Sequence, residues 1–261
     1  MARITLKKIY SMKEKHVGIA CLTAYDASFA KYIDNCGIDI ILIGDSLGVV
    51  VKGYENTHNV TQSDIEYHTK AVSRGNKNAY LISDMPINTY NTPKKALMNA
   101  KKLIKECGAQ MVKLETDPTH IKTIELLSQN KIPVCAHIGI RPQRIISNSE
   151  YKKQGKTITS KNEILHEAIL VEKSGAKLLI VECIDERLAY TISNNLSIPV
   201  IGIASGKKCD GQILVLYDLL GVSYSGIPKF VDKKFFKIES LNKRIKSFIK
   251  KTKKTKKNSR T

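Results

Sequence analysis

The chain has 261 residues, 42% of them hydrophobic, and its 43 Lys or Arg against 24 Asp or Glu leave a formal charge of +19. That length suits one large domain such as an α/β barrel, or two small ones, and the apolar content is enough for a sizeable core. No run of 18 apolar residues occurs, which excludes a transmembrane helix, and residues 1–10 lack the apolar core of a secretory signal, so a cytoplasmic protein is expected.

Eight short runs rich in Ile, Val and Leu end abruptly in polar residues: 16–25, 38–45, 79–84, 110–115, 132–137, 177–182, 198–205 and 212–218. Several are almost continuously apolar, as strands buried on both faces of a parallel sheet must be. Helical stretches lie between them at 28–36, 93–107 and 162–174. Each closes on a glycine (Gly37, Gly108, Gly175), the residue that suits a left-handed helix terminus. Thr92-Pro93 forms a cap and first-turn pair. Pro133 and Pro199 open two strands, where a missing N–H does least harm. Eight strands alternating with helices predict a (β/α)8 TIM barrel. An open doubly wound sheet is the alternative. The first strand is followed by Thr23-Ala24-Tyr25-Asp26, which is no Gly-rich dinucleotide turn, and no phosphate loop of the Walker kind is present. Residues 141–161 are too long for a plain connector and, with 48–53, are expected to be lid or substrate-contacting loops.

The six cysteines form no C-x-x-C pair and sit mostly in apolar runs, so reduced, buried thiols are expected. Residues 243–261 hold ten Lys or Arg and no acid. Residues 250–261 show no apolar face, which predicts a barrel domain over 1–242 and a disordered basic tail over 243–261. Such a tail could touch nucleic acid or anionic lipid, or simply be solvated. It lacks interleaved aromatics, and no nucleic-acid motif occurs elsewhere, so neither a specific nucleic acid nor a membrane is an expected partner.

In a barrel of this kind the C-terminal strand ends form one rim, and active sites are built there. Asp45, Asp84, Lys113, Glu115, His137 and Glu182 end the apolar runs and are expected to meet at that rim. Four carboxylates in one mouth repel unless protons or a cation intervene, and a hard divalent metal held by oxygens answers that need. Each residue also has a structural reading. Asp45 and Asp84 could start turns. Lys113 and Glu115, on one strand face, could be an ion pair. His137 reads as a satisfied core histidine, and Glu182 could cap the next helix. As the close of a very apolar run, Glu182 should have a raised pKa, which suits a general base or acid.

Leu22-Thr-Ala-Tyr-Asp26, Gly44-Asp-Ser-Leu-Gly48, Asp84-Met-Pro86, Val112-Lys-Leu-Glu115, His137-Ile-Gly139 with Pro142-Gln143, Gln154-Gly-Lys-Thr157, Glu182-Cys183 and Asp210-Gly-Gln-Ile-Leu214 occur in this order. In these segments the chain resembles the 3-methyl-2-oxobutanoate (ketopantoate) hydroxymethyltransferase family, over about residues 3–240. The resemblance implies a barrel of the phosphoenolpyruvate/pyruvate type. It implies transfer of a hydroxymethyl group from 5,10-methylenetetrahydrofolate to 3-methyl-2-oxobutanoate, giving 2-dehydropantoate on the pantothenate and coenzyme A route. It further implies Mg2+ ligated by Asp45, Asp84 and Glu115, a ketoacid set of Asp45, Ser46, Asp84 and Lys113, Glu182 as proton acceptor, and a homodecamer acting on small molecules. Thr116-Asp117, Ala204-Ser205 and Ile184-Asp185 depart from the Gly-Gly, Gly-Ala and Val-Pro usual in that family. A carbon–carbon lyase or mutase of similar barrel type that uses magnesium on a small 2-oxo acid is the competing enzyme reading.

Overall fold

The computed structural model describes residues 3–146 and 150–257. In chain order its elements are α1 (Leu6–Glu14), β1 (Ile19–Thr23), α2 (Ala27–Asn35), β2 (Ile40–Ile43), the one-turn α3 (Leu47–Val50), α4 (Gln62–Gly75), β3 (Tyr80–Asp84), α5 (Pro93–Lys105), β4 (Met111–Glu115), α6 (Ile121–Gln129), β5 (Val134–Gly139), α7 (Ile158–Lys173), β6 (Leu178–Glu182), α8 (Glu186–Asn195), β7 (Val200–Ile203), β8 (Gly211–Leu214), α9 (Leu216–Leu220) and α10 (Leu241–Lys257). The eight strands are parallel, pair in sequence order and close where β1 meets β8. The expected (β/α)8 barrel is therefore the fold. Among the described residues no helix is long and apolar enough to cross a membrane.

Strand parity divides the core in two. One set of strand residues, including Leu22, Ile41, Leu81, Val112, Ala136, Leu179 and Val200, packs outward under the helices. The alternate set, with Cys21, Ile40, Leu42, Tyr80, Ile82, Met111, Cys135 and Ile180, fills the barrel interior. Ile9 and Met12 of α1 join that inner cluster and plug its N-terminal end. Continuing the same parity upward places Asp84, Lys113, Glu115, His137 and Glu182 inside the barrel near its C-terminal mouth. Register agrees: Asp84 lies beside Lys113 and Glu115 beside His137 on neighbouring strands.

Local chemistry sets the helix starts. Asp26, Thr61, Thr92 and Thr157 each accept from a main-chain N–H of the first turn, and Thr61 with Asp64 completes a reciprocal capping box. The Thr157 cap starts α7 four residues earlier than its apolar periodicity suggests. Gly37, Gly108 and Gly175 have φ of 85°, 87° and 105°, the left-handed geometry expected of them. The apolar run at 212–218 is not all strand. β8 stops at Leu214, and α9 begins at Leu216, whose N–H is taken by Thr23 Oγ1 at 3.0 Å.

The boundary at residue 243 and the disordered tail are corrected by the structure over 243–257, where α10 is helical. Ile245, Phe248, Ile249 and Thr252 are buried. Their i, i+3, i+4, i+7 spacing makes a buried, mainly apolar stripe, with lysines on most of the remaining positions. Thr252 O approaches so closely that a Cβ on Gly18 would stand 2.1 Å from it. Lys253 also pairs with Asp39 at 2.9 Å. The last four residues of the expected tail, 258–261, lie outside the described residues, as do 147–149 of the long 141–161 segment. All six cysteines are unpaired with one another, five of them buried, as expected; Cys183 is half-buried.

Candidate active site

The strand ends bring the expected residues together. Lys113 Nζ lies 2.5 Å from Asp84 Oδ2, and both side chains are buried. Asp84 Oδ2 also accepts from the Asp45 main-chain N–H at 3.3 Å, and Asp84 Oδ1 from Met85 N–H at 3.1 Å. This second role is the turn function expected of an aspartate before Met-Pro, so the structural and functional readings coexist in one side chain. Ser46, half-buried, is hydrogen-bonded to the Tyr25 hydroxyl at 2.9 Å. Tyr25 is in turn fixed where His68 Nδ1 meets its carbonyl at 2.6 Å.

Glu115 is almost fully buried. Its Oε1 accepts from the Gln143 main-chain N–H at 3.1 Å, whereas its Oε2 is buried with no hydrogen-bond partner. His137 lies between two carboxylates: Nε2 is 3.2 Å from Glu182 Oε2, and Nδ1 is 3.9 Å from Glu115 Oε1. Neither approach is aligned as a hydrogen bond, so both ring nitrogens are buried and unsatisfied. The expectation of a satisfied core histidine is thus overturned. His137 is buried, but in the polar mouth rather than in the apolar core.

Electrostatics follow from burial and crowding. Burial pulls the Lys113 ammonium downward, but Asp84, Asp45 and Glu115 together outweigh it and hold it charged. Burial pushes the Asp84 and Glu115 carboxyls upward, with Asp45 adding repulsion and Lys113 opposing. Burial, reinforced by Lys113, lowers His137 and keeps it neutral. Glu182 is pushed up to about 8, chiefly by burial. It is also the most open of these strand-end groups, at 16% side-chain exposure against 0–7% for Asp84, Glu115, His137 and Lys113. A carboxyl both desolvated and reachable suits proton abstraction.

The turn after Glu182 is held on three sides. Cys183 adopts φ of 53°, unusual for a residue with a Cβ. Its N–H donates to Ile203 O, its carbonyl accepts from Gln154, and the next N–H, of Ile184, donates to Ser205 Oγ. Ser205 therefore makes use of its departure from the glycine-rich pattern, bracing the loop behind Glu182. Thr116 and Asp117 are accommodated similarly. Thr116 N–H donates to His137 O, and Asp117 accepts from Thr119 and pairs with Arg144.

One buried residue has no counterpart among those expected from the sequence. Gln143 is 2% exposed and lies in a 3-10 turn (Pro142–Arg144) just beyond β5. Its Nε2 donates to Asp45 Oδ2 at 2.9 Å and to Met85 O at 3.0 Å, and the Tyr90 hydroxyl donates to its Oε1 at 2.5 Å. Gln143 belongs to a segment that carries the family resemblance, but a neutral amide beside a proline bears no charge signal that assigns it a role, and Tyr90 lies in a loop and did not stand out.

The barrel is of a widespread class. Its fold is similar to 2,3-dimethylmalate lyase, a phosphoenolpyruvate mutase/isocitrate lyase superfamily member (TM-score 0.61, 15% identity, 80% of each chain). It is likewise similar to a phosphonopyruvate hydrolase crystallised with oxalate and Mg2+ (TM-score 0.61, 12% identity, 82% of this chain and 81% of that one). These likenesses define the class of the fold, a (β/α)8 barrel. Within that class, the family model of ketopantoate hydroxymethyltransferase matches residues 3–257. A protein of Ruthia magnifica named 3-methyl-2-oxobutanoate hydroxymethyltransferase is 48% identical over 237 residues, 91% of this chain and 90% of that one. A protein of the same name from Buchnera aphidicola is 45% identical over 249 residues, 95% and 94% of the two chains. The chain belongs to the ketopantoate hydroxymethyltransferase family, and the match extends to the end of α10, beyond the limit near residue 240 expected from motifs alone.

Proposed function

We propose that this protein transfers a hydroxymethyl group from 5,10-methylenetetrahydrofolate to 3-methyl-2-oxobutanoate, forming 2-dehydropantoate for pantothenate synthesis in the cytoplasm. The observation that carries the reading is the gathering of Asp45, Asp84, Lys113, Glu115 and Glu182 at one barrel mouth in a chain of this family. The demanding step is loss of the weakly acidic C3 proton. Glu182, desolvated and open to the mouth, takes that proton. Lys113 supplies fixed positive charge beside the oxygens that become electron-rich, and Ser46, oriented by Tyr25, donates to the substrate carboxylate. The carbon so activated forms its new bond to the folate's methylene carbon. Both methylene C–N bonds break: water supplies the hydroxyl oxygen on that carbon, and tetrahydrofolate departs with its two nitrogens protonated, by the proton removed from C3 and one from water.

The residues fit a divalent cation in their chemistry. The donors are all carboxylate oxygens, Glu115 Oε2 is buried without a partner, and the buried acids outnumber Lys113. Among the described residues no three His, Cys, Asp or Glu side chains already stand close enough to hold a metal. Mg2+ commonly takes only one or two carboxylates and keeps several waters. Asp45, Asp84 and Glu115 would hold it. When bound, the cation supplies Lewis-acid polarisation of the keto group. The reading also includes self-association, for which Val222, Tyr224 and Phe230 present exposed apolar surface after α9.

The test is product formation by the purified protein with both substrates. 2-Dehydropantoate should form, require the folate, fall on adding EDTA and return with Mg2+. Turnover of the keto acid without folate favours a lyase or mutase. Product formation indifferent to EDTA removes the metal from the account.

A further inference from the structure

We propose that Gln143 is a positioning residue that sets the orientation of Asp45 and Glu115 for a divalent cation. This proposal rests on the metal reading above and adds to it a residue outside the ligand set. Gln143 takes one oxygen from each carboxylate: its main-chain N–H binds Glu115 Oε1 and its side-chain amide binds Asp45 Oδ2. The second oxygen of Glu115 is thereby left buried and unpartnered among the described residues, available to a ligand. Carboxylates that bind metals are commonly held in this way, by outer hydrogen bonds that fix which oxygen faces the ion.

The amide cannot turn over without loss. Its nitrogen faces Asp45 Oδ2 and the Met85 carbonyl, and a carbonyl can only accept. Its oxygen receives the Tyr90 hydroxyl. Inverting the amide would set oxygen against oxygen at both Asp45 and Met85 and forfeit those two bonds, although the Tyr90 hydroxyl can donate or accept. The turn that carries Gln143 is fastened on both flanks. Arg141 Nε donates to Thr116 O at 2.6 Å, and its Nη2 reaches Glu167 Oε1 at 2.5 Å. On the other side Arg144 pairs with Asp117. Both partners of the turn on the β4 side, Thr116 and Asp117, directly follow Glu115. The same short junction therefore fixes the carboxylate and the residue that aims it.

The experiment uses manganese(II) alone as probe, its free concentration read by electron paramagnetic resonance against the full chain. Wild-type protein should bind it, and Gln143→Ala should bind about 10- to 100-fold more weakly, the usual range for loss of an outer-shell partner. Gln143→Leu, which keeps the bulk but removes the amide, should bind as weakly as Gln143→Ala. Tyr90→Phe and Arg144→Ala should each weaken binding several-fold with far-ultraviolet circular dichroism unchanged. Arg144 is about half exposed, so its variant keeps the test decisive should Gln143→Ala not fold. A Gln143→Ala protein that folds and binds manganese like wild type overturns the positioning role alone, as does unchanged affinity in Arg144→Ala if the glutamine variants do not fold. Wild-type protein that binds no manganese overturns the metal reading and this inference together.

Discussion

The two halves of the barrel interior are built from the same strands by opposite rules. In the lower half, inward positions carry Ile19, Cys21, Ile40, Met111, Cys135 and Leu178, capped by Ile9 and Met12 of α1. Two or four residues further along β4, β5 and β6, and at the end of β3, inward positions carry Lys113, Glu115, His137, Glu182 and Asp84. The lower half satisfies the hydrophobic effect and fixes the shape. The upper half opposes it, retaining charge where burial disfavours charge. In this polar layer Glu115 Oε2 and both His137 nitrogens are buried and unsatisfied, which supports the proposed reading of the mouth as a binding site.

The comparison is broken most strongly by Lys113→Met. It removes the cation facing Asp84 and leaves a buried carboxylate unpaired, a loss of about 3–5 kcal/mol in chemical denaturation at neutral pH. Because Asp84 can then escape by protonation, the deficit should shrink as pH falls. In the lower half, Ile40→Ala should lower stability by about 2–5 kcal/mol through a cavity at this fully packed position, with chemistry at the mouth retained in the folded fraction. Gly18→Ala, which drives a Cβ into Thr252 O, should cost about 1–3 kcal/mol by displacing α10 from β1, measured by thermal unfolding.

A smaller effect with a definite sign comes from Glu182. Its carboxyl is raised from 4.5 to about 8 in the folded chain, so folding takes up a proton between those values. Ionisation therefore destabilises the fold progressively as pH rises through that window, and fully above it. Glu182→Gln should equal wild type in stability near pH 4 and exceed it by more than about 1 kcal/mol near pH 9. A variant less stable than wild type at pH 9 would show that Glu182 is a structural ion-pair member, contrary to its role at the mouth.

The lower half was legible because both strand faces are apolar, so Ile-, Val- and Leu-rich runs stand out whatever the register. The upper half was legible through its charged residues taken together, since each carboxylate alone has a structural reading but several closing such runs at one rim call for a common one. What escaped were features whose meaning depends on three-dimensional neighbours. Gln143 is uncharged and gains significance only where β5 delivers it between Asp45 and Glu115. The strand expected over 212–218 overran into α9 because Leu214-Val215-Leu216 stays apolar across the turn. The basic tail hid a helix for a related reason. Its buried, mainly apolar stripe, Ile245, Phe248, Ile249 and Thr252, straddles residue 250, so the lysine-rich half viewed alone seemed to lack a buried face.

The central claim is that a desolvated carboxyl at the mouth enolises a keto acid. Solvent deuterium exchange at C3 of 3-methyl-2-oxobutanoate, followed by NMR with Mg2+ and without folate, tests it most directly. Wild-type protein should exchange that proton, and Glu182→Gln should bind the keto acid yet exchange about 10²- to 10⁴-fold more slowly. Exchange at the wild-type rate in Glu182→Gln would contradict the account.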